Sequence, residues 1–109
     1  MNRNFTQVIS VRCSDPDKLR ELLQQWDRDQ SQADIMGYMG CRVLADRAND
    51  GQYVIIADFG VVDPNVSAAD EAARNNDRPE TLLWVEKFRK VIEGEPDYHD
   101  YDEVYRTDQ

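Results

Sequence analysis

Gln52-Tyr53-Val54-Ile55-Ile56-Ala57-Asp58-Phe59 is the stretch on which the reading of this chain turns. β-Branched and aromatic residues dominate it, so it reads as a strand. A strand with one wet face alternates apolar and polar residues. This one does not: Tyr53, Ile55, Ala57 and Phe59 point one way, and Val54 and Ile56 point the other. The sheet that contains it therefore needs cover on both faces. Just before it, Arg47-Ala48-Asn49-Asp50-Gly51 reads as a hairpin turn, with Asp-Gly supplying left-handed positions. Tyr38 to Asp46 (YMGCRVLAD) becomes its hairpin partner, with Met39, Cys41 and Val43 on one face and Tyr38 and Leu44 on the other.

Further toward the N-terminus, Phe5 to Cys13 (FTQVISVRC) is another β-branched run. Ser14-Asp15-Pro16-Asp17 reads as a helix start, with a capping side chain, a proline in the first turn and an acid near the positive end of the dipole. Leu19, Leu22, Leu23 and Trp26 recur at i, i+3, i+4 and i+7, which predicts one apolar helix face running to about Gln30. Beyond the central stretch, Ser67 caps a short helix whose Ala68, Ala69, Ala72 and Ala73 allow close packing. Pro79 opens a longer helix to about Glu93, with Trp84, Val85, Phe88, Val91 and Ile92 in a wide apolar stripe. Gly94-Glu95-Pro96 is read as its end, and Tyr98 to Arg106 as a fourth strand or an extended arm.

The order βαββααβ is a ferredoxin-like split βαβ unit, an α+β fold. Right-handed crossovers put the helices on one face of a four-stranded antiparallel sheet, in the order 4-1-3-2. Residues 1–109 form one domain, with residues 94–109 as an acidic C-terminal arm. The formal net charge is -9, and from Glu93 onward seven acids face one base, Arg106. The rest of the chain is nearly balanced. This acidity argues against nucleic acid and against anionic membrane surfaces as partners. No apolar run suggests a signal peptide or a membrane span, so the cytoplasm is the expected location. Cys13 and Cys41 fit no zinc spacing, lie on non-adjacent strands, and read as reduced thiols. There is no nucleotide loop, P-loop or nucleophile elbow.

Helices can cover only one face of such a sheet. A second copy of the chain, related by a two-fold axis, is the simplest cover for the other, so a homodimer is expected. With the element order, Gly37-Tyr38-Met39-Gly40 entering the second strand, the central Gln52–Phe59 stretch, and Ser67-Ala68-Ala69-Asp70-Glu71-Ala72 after it, the chain resembles the dimeric α+β barrel superfamily, especially antibiotic-biosynthesis-monooxygenase-like domains. The resemblance covers nearly the whole chain. It implies a cavity between helices and sheet and, for the cofactor-free oxygenases of that group, oxidation that begins with deprotonation of an electron-rich substrate. No cofactor is then needed, and the substrate expected is a small aromatic or polyketide-like molecule. The alternative is a non-enzymatic ligand-binding or protein-interaction domain on the same dimeric scaffold. Haem-degrading relatives carry a histidine on the helix after the third strand. Here that segment, residues 67–76, has none.

Four residues are candidates for the pocket: Arg42, Tyr53, Trp84 and His99. Arg42, mid-strand between apolar neighbours, suits either an anionic ligand or an ion pair with Asp58. Tyr53 suits an aromatic ligand or ordinary sheet packing. Trp84 matches an aromatic that lines the family's pocket, although a tryptophan in an apolar helical stripe also serves as core. His99 sits among Asp97, Asp100, Asp102 and Glu103, either as a general base or as a solvated residue of the acidic arm. No metal site is expected.

Overall fold

Alternation in the first strand and three-to-four-residue spacing in the helices dictate the layers. The computed structural model describes residues 3–32, 37–61, 65–76 and 78–107. Its elements are β1 (Phe5–Arg12), α1 (Pro16–Gln32), β2 (Tyr38–Ala45), β3 (Gln52–Phe59), α2 (Ala68–Asn76), α3 (Pro79–Val91) and β4 (Glu93–Asp102). The four strands form one antiparallel sheet in the order β2-β3-β1-β4. That is the expected order, and it follows from two helical crossovers of the same hand.

One face of the sheet is covered. Phe5, Ile9 and Val11 of β1 and Ile55, Ala57 and Phe59 of β3 are buried on it. Leu19, Leu22 and Leu23 of α1 and Trp84 and Phe88 of α3 pack against it. Asp15 caps α1 by accepting from Lys18 N–H at 3.3 Å, and Ser67 Oγ caps α2 by accepting from Asp70 N–H at 3.0 Å. Pro79 occupies the first turn of α3, where its missing N–H costs nothing. Cys13, just past β1, is buried, and its Sγ lies 3.3 Å from the Asp15 carbonyl oxygen and 3.4 Å from that of Val91, two acceptors for its one S–H. Both described cysteines are free thiols.

Two sequence expectations need correction. Tyr38 lies on the covered face, not on the face of Leu44, because a register shift between Tyr38 and Gly40 adds a residue to β2 at Met39. A bulge of this kind inverts the side on which every residue beyond it points. Gly37 precedes the bulge with φ +84°, accepts from Gly60 N–H at 2.6 Å, and leaves no room for a Cβ against the Gly60 carbonyl. The second correction concerns Gly94-Glu95-Pro96. These residues do not break the chain between helix and strand; they belong to β4, which starts at Glu93 and ends at Asp102. Gly94 takes φ +73° at the exit from α3, and an edge strand tolerates Pro96.

β4 pairs with β1 of its own chain from Phe5↔Asp102 to Arg12↔Glu93. Beyond it, Glu103 N–H donates to the Asn4 carbonyl at 2.8 Å. Most of the acidic arm is thus part of the sheet. The opposite face carries no helix. Val8, Leu44, Val54 and Ile56 lie on it, flanked by Arg42, His99 and Tyr101. No described helix is long and apolar enough to cross a membrane.

Candidate functional site: a cavity between helices and sheet

The covered face encloses a cavity of about 50 Å³. Its floor draws on all four strands, with Cys41, Ala57, Ile9 and Tyr98 among its members. Its roof is Leu23 and Trp26 of α1 and Thr81, Trp84 and Val85 of α3. Trp26 and Trp84 meet with ring centroids 4.8 Å apart, and Trp84 stacks on Phe88 at 4.9 Å. Trp84 Nε1–H donates to the Leu22 carbonyl at 3.0 Å, which fixes the indole and ties α3 to α1. Two wider spaces adjoin the cavity. A groove of about 640 Å³ between α1 and β2 shares Leu23 and Cys41 with it. A pocket of about 250 Å³ between α2 and β4 shares Gln7.

The electrostatics of the cavity are simple. Among the described residues its lining contains no Asp, Glu, Lys, Arg or His. Burial, above all, holds the Tyr98 phenol above its usual pKa, and burial likewise raises the Cys41 thiol. Beside Cys41, Tyr38 is pushed far up, first by burial and then by Cys41 and Asp27, while its hydroxyl donates to Asp27 Oδ1 at 2.9 Å. Gln7 Nε2 donates to Asp100 Oδ1 at 3.3 Å. The cavity at neutral pH is therefore an aromatic box with neutral hydrogen-bonding groups. It suits a planar, uncharged ligand. Among the described residues no group of three or more His, Cys, Asp or Glu is placed to hold a metal ion.

The structure separates the four pocket candidates. Trp84 lines the cavity. Tyr53 is on the same face but packs beside the main core cluster, opposite Val11, beyond the cavity's end. Arg42 stands opposite Ile56 and His99 opposite Val8, which puts both at uncovered-face positions of the pleat, although Arg42 also borders the groove between α1 and β2. Arg42 has no ion pair with Asp58, which lies opposite Gly40 and accepts from Thr6 Oγ1 at 2.7 Å. His99 contacts Asp97 at 3.0 Å, and both are exposed. Arg42, Tyr53, Trp84 and His99 therefore do not share one pocket. On the sequence, Arg74-Asn75-Asn76-Asp77-Arg78 suits either a pocket rim or a plain helix–helix connection; Asp77 lies outside the described residues. Gln7 and Thr81 were not singled out from the sequence. The available signal was a polar residue on an otherwise apolar face: Gln7 between Phe5 and Ile9, and Thr81 three residues before Trp84. Thr81 is only 3% exposed.

The raised phenols and thiol have a consequence for stability. A group whose folded pKa exceeds its unfolded value stabilises the fold while protonated, and that contribution is lost as pH rises past the unfolded value. The unfolded references are about 8.5 for cysteine and about 10 for tyrosine. The urea midpoint is expected to fall progressively above about pH 8.5, and Tyr38→Phe is expected to flatten that fall. Urea titrations from neutral to alkaline pH check this. A midpoint independent of pH in that window would count against it.

No protein-family model and no curated protein matches the chain. Solved structures do. A variant of SnoaB, a cofactor-independent oxygenase from Streptomyces nogalater, superposes with TM-score 0.77 at 16% identity, over 98% of this chain and 99% of that one. A protein of Nitrosomonas europaea, provisionally assigned as an antibiotic biosynthesis monooxygenase, gives 0.72 at 11% identity, over 99% and 97%. A similarly assigned protein of Deinococcus radiodurans gives 0.69 at 12% identity, over 96% and 97%. The chain is thus an α+β protein with the fold of the antibiotic-biosynthesis-monooxygenase-like domains.

Proposed function

We propose that this protein is a cofactor-free, monooxygenase-like enzyme acting on a small, uncharged, electron-rich aromatic or polyketide-like molecule. The observation that carries the reading is the cavity: an aromatic box with neutral polar groups, placed between helices and sheet in a fold shared with a cofactor-independent oxygenase. A substrate ring needs more than about 50 Å³ and would extend into the adjoining groove or pocket. The protein's part would be to hold the ring against Trp26 and Trp84, exclude bulk water and orient the reacting carbon. The substrate, once deprotonated, would supply the electrons to oxygen. Two free cysteines support a reducing, cytoplasmic setting.

The working form we propose is a homodimer joined through the uncovered face. Val8, Leu44, Val54 and Ile56 make that face too apolar for a wet one. Leu44 is 43% and Tyr101 55% exposed in the single chain.

Oxygen uptake with anthrone, in the presence of a chelator, tests the activity. Uptake above the uncatalysed rate is expected, with displacement of the indole N–H signals of Trp26 and Trp84 in NMR titrations. These are the chain's 2 tryptophans, and both line the cavity. If neither uptake nor displacement is seen, the proposal falls. A second reading, a non-enzymatic binding or interaction domain, draws on the near-filling of the interior by Trp26, Trp84 and Phe88. Displacement without uptake would select it.

A further inference from the structure

Among the described residues, Gln7 is the one that borders both the interior cavity and the pocket between α2 and β4. On the pocket side stands Asp100, opposite Gln7 in the β1–β4 register. A carboxylate only accepts hydrogen bonds. The amide of Gln7 must therefore turn its NH₂ toward Asp100, as the contact of 3.3 Å from Nε2 to Oδ1 records. The amide is planar, so the same constraint directs Oε1 away from the carboxylate. Among the described residues Oε1 accepts no hydrogen bond. Next to it on the same face, Tyr98 pairs with Ile9 and carries a hydroxyl that burial keeps protonated. Gln7 on β1 and Tyr98 on the neighbouring β4 thus both belong to the cavity lining, whose other polar groups are the Thr81 hydroxyl and the Cys41 thiol. A ligand hydroxyl matches the unused acceptor of Gln7, because it can donate a hydrogen bond. An ether, a carbonyl or a methyl group does not.

We propose that Gln7, held in one orientation by Asp100, is the specificity residue of the cavity, accepting a hydrogen bond from the hydroxyl of a phenolic or enolic ligand. The proposal rests on the aromatic-ligand reading above and adds the polarity of the group that reading leaves open. Asp100 acts through Gln7 and is a positioning residue. The ligand's proton stays on its own oxygen in this recognition step.

Phenol and toluene, alike in shape and different only in the hydroxyl, are suitable probes. Their dissociation constants can be read from the indole N–H signals of Trp26 and Trp84. In Gln7→Leu the ratio of phenol to toluene affinity is expected to move about tenfold toward toluene, with toluene still bound. In Asp100→Asn the new amide can donate as well as accept, so Gln7 is free to turn and the ratio is expected to move the same way by a smaller factor. Asp100 is exposed, so this variant keeps the test available should Gln7→Leu fail to fold. An unchanged ratio in Gln7→Leu overturns the role of Gln7. An unchanged ratio in Asp100→Asn overturns the orienting role of Asp100. Binding of both probes without preference shifts would leave the aromatic-ligand reading standing and remove only this proposal. If neither probe moves the indole signals in the unsubstituted protein, both fall together.

Discussion

Phe88→Ala is expected to destabilise the protein by about 3–5 kcal/mol, the range for removing a fully buried phenylalanine. Phe88 is 0% exposed and belongs to the main core cluster with Ile9, Val11, Leu19 and Ile55. Its loss would remove the ring that stacks on Trp84 at 4.9 Å and with it one wall of the Trp26–Trp84–Phe88 series. It would also leave a void that a close-packed interior fills only in part. A domain of this size has about 5–15 kcal/mol to lose, so the variant should sit near the edge of folding at room temperature. Urea or thermal unfolding followed by tryptophan fluorescence measures this directly. A cost below about 1 kcal/mol would mean that the helices collapse onto the sheet and that the interior is not a fixed box.

Val54→Lys is expected to abolish the proposed dimer while leaving the single chain folded. Val54 lies on the uncovered face, between Leu44 of β2 and Ser10 of β1. In a lone chain a lysine there can carry its ammonium into water. At a two-fold interface each copy would bring a cation to an apolar surface, and the two would face the same symmetric patch. Burying an unpaired charge costs several kcal/mol. A rise in the dimer Kd of about a hundredfold or more is the expected reading in sedimentation equilibrium. Leu83→Lys supplies the control, because Leu83 is on α3 and is 60% exposed on the helical side. It should leave association unchanged. A monomeric unsubstituted protein, or one whose association ignores Val54→Lys, would remove the dimer from this account.

The fold was legible because its signals are local and repeated. The Leu19, Leu22, Leu23 and Trp26 spacing, the cap at Asp15, Pro79 at the start of α3 and the alternating β1 each specify one element independently. Errors fell where a single residue breaks the period. One extra residue at Met39 reverses Tyr38, and Gly94 with Pro96 looks like a chain break yet is strand at a sheet edge. The site was less legible. Trp84 was found because it stands out on its helix. Arg42 and His99 were chosen for their chemistry, and their chemistry says nothing about which side of the pleat they occupy. Gln7 looked like an ordinary polar residue within a strand.

Periodicity, capping and the doubly apolar Gln52–Phe59 stretch by themselves determined the element order, the strand order and the need to cover two faces of one sheet. These depend on interactions within a few residues and on the fixed hand of crossovers. Tertiary structure alone decided what shares a cavity. Gln7, Tyr98 and Trp84 are brought together from β1, β4 and α3, and only pairing across β1 and β4 sets Gln7 beside Asp100. That register, and with it the side of the sheet on which each polar group stands, is a property of contacts between residues more than ninety positions apart.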